Sequence, residues 1–294
     1  MRLIALCFAF AGLTVACGDS GSGGSGSGGD PQGGGGAAEG GGGAAAQSLE
    51  LSFEARVNGD PFSCESTFTN LGSSSATVEF LDFKLYVHDV RLVRGEQEVP
   101  LELEQDGLWQ YQDLVLLDFE DNVGSCDNGT SETNNVIKGT LPSGPTPDRI
   151  RFKVGVPEAL NHGDSATAPS PLNLSGMFWD WQTGYKFVRM DAAPVGGEPF
   201  LLHLASTDCS GSGSEAVCDR LNVAEIDLAY PADGIVVLDY AELVKNVDLA
   251  ADQGGAPGCM SGPMDPECQQ VFPSYGVDID TGAPSGTPSW MAVK

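Results

Sequence analysis

Between Ile150 and Val156 every second residue is apolar: Ile150, Phe152, Val154 and Val156 alternate with Arg151, Lys153 and Gly155. A period of two places one set on each face of an extended chain, whereas a helix would scatter the same residues around its axis. The pattern recurs at Phe200, Leu202 and Leu204, and Ile235 to Leu238 is a short apolar run suited to a buried strand. Gly, Pro, Asn and Asp clusters separate these runs and mark turns. No segment sustains helical periodicity with caps, and Tyr240 to Val247 is the best candidate for a lone short helix. The expected fold is all-β, an antiparallel β-sandwich or open barrel with long disulfide-stapled loops.

One strand breaks its own pattern. Leu81, Phe83, Leu85 and Val87 share a face, and the apolar phase then shifts to Val90 and Leu92. A phase shift of this kind calls for a β-bulge or bend near His88 and Asp89, which re-aims the side chains around it.

The first residues are of a different kind. Arg2 is followed by a small and apolar stretch from Leu3 to Ala16 and then by Cys17. That stretch is shorter than the ~20 residues needed to cross a bilayer and reads as a signal peptide. Leu13-Thr14-Val15-Ala16-Cys17 resembles a bacterial lipobox, which makes Cys17 the expected lipidated residue. From Gly18 to Gln47 the chain is almost all Gly, Ser and Ala. Such a segment buries too little apolar area to offset its ordering entropy, and as a coil it reaches ~30 Å. The expected organisation is a signal peptide at 1–16, a lipidated tether at 17–48 and one β domain at 49–294, with disorder allowed near 280–294. An outer-membrane lipoprotein facing the periplasm or the cell surface is the localisation that follows.

The formal net charge of −27 argues against nucleic acid or anionic lipid as partners of the folded part. It suits a cation, a basic protein, or solubility alone. Cys64, Cys126, Cys209, Cys218, Cys259 and Cys268 form an even set, as in a disulfide framework of an oxidising compartment. Spacing favours the staples Cys209 to Cys218 and Cys259 to Cys268, which leaves Cys64 for Cys126.

The chain has three histidines, His88, His162 and His203. Each alone fits a hydrogen-bonded structural residue or a metal ligand, and no short-range metal motif distinguishes the two. In Gly176-Met177-Phe178-Trp179-Asp180-Trp181-Gln182-Thr183-Gly184-Tyr185-Lys186-Phe187, an extended backbone would put Met177, Trp179 and Trp181 on one face. That face is either a core cluster or an oxidisable surface near a metal. Asp180 and Lys186 are spaced for a cross-hairpin ion pair. The acidic run Leu117-Asp118-Phe119-Glu120-Asp121 matches no EF-hand spacing and reads as a solvated turn. No nucleophile elbow is present.

Several of these segments together resemble one family. They are Phe53-x-Ala55-x-Val57-Asn58-Gly59-x-Pro61-Phe62-x-Cys64, Leu85-Tyr86-Val87-His88-Asp89-Val90, Leu116 to Glu120, Val154-Gly155-Val156-Pro157 with Leu160-Asn161-His162, Pro171-Leu172-Asn173, Met177-Phe178-Trp179-x-Trp181-Gln182-x-Gly184-Tyr185-Lys186-Phe187, His203-Leu204 before Cys209, and Cys259-Met260-Ser261-Gly262. From about Leu51 to Val277 the chain is similar to the MbnP family, the four-Cys-motif proteins of the metallo-mystery pair system. The resemblance implies an exported copper-binding protein, not itself an enzyme, paired with a di-haem protein related to cytochrome c peroxidases. That partner would oxidise a tryptophan to kynurenine, with Trp179 and then Trp181 as candidates. It also implies His88 and His162 as ligands with His203 as a third, and Cu(I) as the favoured state. Met177 or Met260 could add a soft ligand. A copper-dependent oxidase or monooxygenase, and a structural surface lipoprotein, are the competing readings.

Overall fold

The computed structural model describes residues 45–126, 129–174, 176–180 and 182–294. Cys17, the tether up to residue 44 and Trp181 lie outside the described residues. The principal strands are β1 (Ala46–Val57), β2 (Ala76–Arg94), β3 (Leu114–Asp118), β4 (Val136–Pro142), β5 (Arg149–Val154), β6 (Val188–Pro194), β7 (His203–Leu204), β8 (Ala224–Ala229), β9 (Ile235–Asp239) and β10 (Met291–Val293). Three short helices, α1 (Glu158–Asn161), α2 (Tyr240–Leu243) and α3 (Cys268–Tyr275), sit in the connections.

Two mainly antiparallel sheets carry the fold. One has the order β10-β9-β1-β4, in which β1 and β9 are parallel. The other has the order β7-β6-β2-β5-β8, with β3 on the far edge of β2. β2 is 19 residues long, and β6 and β5 occupy successive stretches of the same edge. The sheets pack through aromatic rings: Phe53 of β1 meets Phe152 of β5 edge-on at 5.8 Å. Phe62, Phe80, Phe83 and Tyr240 extend the same core. Burying such rings stabilises by roughly 1.5–3 kcal/mol each.

The other face of β2 is also covered. Leu85 and Val87 point into the inter-sheet core, whereas Tyr86 belongs to a second cluster with Leu114, Leu116, Val156, Leu172, Met177, Tyr185 and Phe187. The polypeptide between β5 and β6 folds back over this face. Tyr86 and Tyr185 are tied into it by hydrogen bonds donated to the carbonyls of Pro171 (3.0 Å) and Leu172 (2.7 Å). Period-two alternation puts Asp82, Lys84, Tyr86 and His88 on this covered side.

The acidic run at Leu117 to Asp121 is not a solvated turn. Asp118 and Glu120 are buried around Lys84, the direct cross-strand partner of Asp118. Lys84 Nζ lies 2.8 Å from Glu120 Oε1 and 3.0 Å from Asp82 Oδ1. Arg189 extends the cluster, at 3.1 Å from Asp82 and 2.9 Å from Asp191. Burial pushes the Asp118 carboxyl up to about 8, so it is neutral at physiological pH.

All six cysteines of the folded part are paired, Cys64 with Cys126, Cys209 with Cys218 and Cys259 with Cys268. Other boundaries differ from expectation. β1 starts at Ala46, inside the expected tether, because its polar first residues pair with β4 through backbone bonds that need no apolar side chain. The C-terminal segment is ordered: Trp290 is buried, and β10 adds an edge strand to β9. The expected helix from Tyr240 closes at Leu243, capped by the Asp239 carboxylate accepting from the Ala241 N–H. α3 was not expected, although Cys268, Val271, Phe272 and Tyr275 bury one helical face. Pro273 inside it hides the signal, since proline ordinarily interrupts a helix.

Removing the lysine at the centre of the charge cluster leaves buried Glu120 without an ion-pair partner among the described residues and Asp82 with Arg189 alone. Lys84→Ala should lower stability by about 3–5 kcal/mol in urea denaturation. A loss of only about 1 kcal/mol, the level of an exposed ion pair, would show that the cluster does not hold this face together.

Candidate metal centre

The phase shift in β2 is a bulge. Asp89 has φ 52°, and the pairing with β5 slips so that Lys153 faces His88 while Arg151 faces Arg91. Asp89 is anchored there by Arg91 at 2.6 Å and Lys153 at 3.2 Å. The side chain of His88 opens into a cleft of about 350 Å³ at the end of the second cluster.

His162 lines the same cleft. It follows α1, whose last residue, Asn161, is buried and works as a clamp. Asn161 Oδ1 accepts the Tyr185 N–H at 2.9 Å, and its Nδ2 donates to Ser206 Oγ at 3.4 Å. The hairpin of Phe178–Asp180 and Gly184–Tyr185 is thereby pressed against the His162 loop. Gly184 has φ +86°, and a Cβ there would stand 2.4 Å from the Asn161 carbonyl oxygen, so only glycine allows the contact.

The two imidazoles suit a metal better than they suit hydrogen bonding. Both are buried, and His88 Nε2 and His162 Nδ1 have no hydrogen-bond partner. Burial lowers the His88 pKa from 6.5 to about 4 and also lowers that of His162. Each ring is therefore neutral at physiological pH and keeps a lone pair, the form that ligates copper or zinc. Around them the wall is mixed, with Val156, Leu221 and Val223 beside Glu158, Asp219 and Glu225. His162 Nε2 lies 3.6 Å from Cys218 Sγ, held in its disulfide, and 3.3 Å from Asn161 Nδ2.

His203 is elsewhere. Its Nε2 is 2.9 Å from Asp191 Oδ1, and its ring meets Trp179 edge-on at 5.9 Å. It does not line the cleft of His88 and His162, and it belongs to the charge network around Asp191 and Arg189. Trp179 is half-buried there, with Lys186 Nζ 6.0 Å from its ring centre. Met177 is fully buried in the second cluster, and Met260 lies half-buried with its N–H on Asp265. Neither methionine lines the cleft. The cross-hairpin ion pair is not formed: Asp180 accepts from the N–H groups of Gln182 and Thr183, and Lys186 donates to the Gly176 carbonyl. Among the described residues one group of three metal-capable side chains converges, Cys64, Glu120 and Cys126. Its two sulfurs form a disulfide, which leaves no thiolate to bind a metal.

Asn161, Cys218 and the acidic wall are the parts of the site that sequence reasoning did not single out. Only Asn161 left a signal, in the Leu160-Asn161-His162 motif.

The fold and site define a two-sheet β protein stapled by three disulfides, with two buried histidines lining one cleft beside a second apolar cluster. The MbnP family model matches residues 46–261, and the chain belongs to that family. The solved structure of MbnP from Methylosinus trichosporium has the same fold, with a TM-score of 0.76 and 29% sequence identity over 84% of this chain and 98% of that one. No curated protein sequence matches the chain.

The depressed His88 pKa has a consequence for stability. Its folded value lies below its unfolded value, so the contribution is present above pH 6.5 and is lost as pH falls toward 4. Between pH 7 and 5 this should remove about 2 kcal/mol from the metal-free protein. Urea midpoints for wild type and His88→Gln should converge over that range, and parallel pH profiles would contradict it.

Proposed function

We propose that this protein is an exported copper-binding lipoprotein that acquires, stores or delivers copper and is not itself an enzyme. Copper is the cargo, held as Cu(I) by His88 and His162. What supports this reading most is that two histidines far apart in the chain line one cleft, neutral and with unpartnered buried nitrogens. Neutral imidazoles suit Cu(I), which accepts few and soft ligands. Membership of the MbnP family supports a pairing partner, here a di-haem protein related to cytochrome c peroxidases. With peroxide as the oxidant, that partner opens the indole of Trp179 or Trp181 to N-formylkynurenine, and hydrolysis releases the C2 carbon as formate and leaves kynurenine, which exchanges an indole donor for an aniline nitrogen and a ketone oxygen. Cys17 carries the lipid anchor, and the Gly/Ser tether lets the domain stand clear of the membrane. The acidic surface raises the local concentration of cations and attracts a basic partner, an effect that salt weakens.

His88→Ala and His162→Ala should each reduce Cu(I) affinity more than tenfold, about 1.4 kcal/mol or more, in competition with a colorimetric Cu(I) chelator, with the circular dichroism unchanged. Wild-type affinity in both variants would remove the two histidines from the site. Independently, Cys17→Ala should move the protein from the membrane fraction to the soluble fraction, and retention in the membrane would place the anchor elsewhere.

A further inference from the structure

The cleft of His88 and His162 is closed on one side by Ser206, Asp219 and Leu221. These residues lie in or beside a hairpin in which Thr207–Ser210 pairs with Val217–Arg220. Its two strands pair with each other and join neither main sheet. Cys209 and Cys218 stand directly opposite one another in it and form a disulfide.

This disulfide is placed unlike the other two. Cys64, Cys126, Cys259 and Cys268 are buried in the inter-sheet core, whereas Cys209 is half-exposed. Its partner points inward: Cys218 is buried, with Sγ 3.6 Å from His162 Nε2. That nitrogen carries a lone pair, because the side-chain amide of Asn161, whose Nδ2 can only donate, faces it at 3.3 Å. The hairpin is also anchored independently of its S–S bond. At its base Asn222 Nδ2 donates to the Ala205 carbonyl at 2.8 Å and to Thr207 Oγ1 at 3.2 Å. Arg220 pairs with Asp208 and donates to the Asp280 carbonyl at 2.8 Å.

We propose that the Cys209–Cys218 disulfide is a redox latch on this cleft: a dithiol reductant opens it, and the freed Cys218 thiolate joins His162 as a ligand to Cu(I). The latch rests on the reading of His162 as a copper ligand. A thiolate of the dithiol attacks Cys209 Sγ, the accessible sulfur, the S–S bond breaks, and its electron pair leaves on Cys218 Sγ. The second thiol of the reductant then attacks the mixed disulfide and releases Cys209. The reductant departs as a disulfide, and the protein has gained two electrons and two protons. Cu(I) displaces the proton of Cys218 to solvent. With metal–nitrogen and metal–sulfur bonds of ~2.0 and ~2.3 Å, the distance from Nε2 to Sγ subtends roughly 110–115° at the ion, the opening of a trigonal or tetrahedral site. Thiolate is a soft ligand that selects Cu(I). The open latch therefore grips the ion, and reoxidation to the disulfide withdraws the sulfur and loosens it.

Thiol mapping and Cu(I) titration of the full chain test the latch. Under mild dithiothreitol with an alkylating agent, Cys209 and Cys218 should be labelled before Cys64, Cys126, Cys259 or Cys268, and earlier labelling of either core disulfide overturns the proposal. Cys209→Ser frees Cys218 and leaves the other pairs intact, and combining it with Cys218→Ser removes the sulfur. The single variant should bind Cu(I) about tenfold or more tighter than the double variant in chelator competition, and X-ray absorption should find a sulfur neighbour at ~2.3 Å in the single variant alone. Equal affinity in the two variants, or no sulfur neighbour in the single one, overturns the proposal. If a variant loses the native circular dichroism, wild type before and after mild reduction supplies the same comparison. Disulfide-bonded wild type that binds no Cu(I) sinks the two-histidine reading instead, and the single variant against the double variant still decides whether Cys218 is a ligand.

Discussion

Everything in this molecule hangs on the single 19-residue strand from Ala76 to Arg94. A strand of that length offers two edges and two faces, and all four are used. One edge carries β6 and then β5, the other carries β3. One face buries Phe80, Phe83, Leu85 and Val87 against the opposing sheet, and the other holds Lys84, Tyr86 and His88 under the polypeptide between β5 and β6. Because the side-chain period is two, a slip of one residue would exchange the faces and expel the whole core. Such slips occur twice along the strand, at Leu81, where Phe80 and Phe83 come to share the core face, and at Asp89, just after His88 ends the covered row of Lys84 and Tyr86.

The covered face has to contain charge as well as aromatic rings, and the two are sorted along the strand. Lys84 pairs with Asp82 and Glu120 and Arg189 with Asp82 and Asp191, while burial pushes the Asp118 carboxyl up to about 8. Farther along, Tyr86 and Tyr185 satisfy their hydroxyls on backbone carbonyls. The histidine at the end is the group left without a partner. His88 Nε2, and His162 Nδ1 on the facing loop, are buried without a hydrogen-bond partner, which departs from the ordinary pairing of buried polar groups.

The tryptophan-rich segment joins these regions. Its hairpin is clamped to the His162 loop through Asn161 and Gly184, while its Trp179 ring turns toward His203 and the charge network. One segment therefore packs against both Asn161, beside His162, and the ion cluster.

The sequence by itself determined the all-β class, the disulfide pairs and the bulge near His88, because each rests on local rules: alternation, spacing and a phase shift within one strand. It also marked His88 and His162, through motifs resembling those of a known family. It misjudged residues whose environment is made by distant segments. Asp118 and Glu120 read as a solvated turn because nothing nearby in sequence announces Lys84, and α3 was hidden by Pro273, whose helix is held by burial of Val271, Phe272 and Tyr275. Which histidines share a cleft was decided only by the tertiary structure. His88, at the end of the covered row of β2, and His162, on the loop clamped by Asn161, line one cleft, whereas His203 lies on β7 beside Asp191; long-range placement of this kind leaves no trace in local spacing.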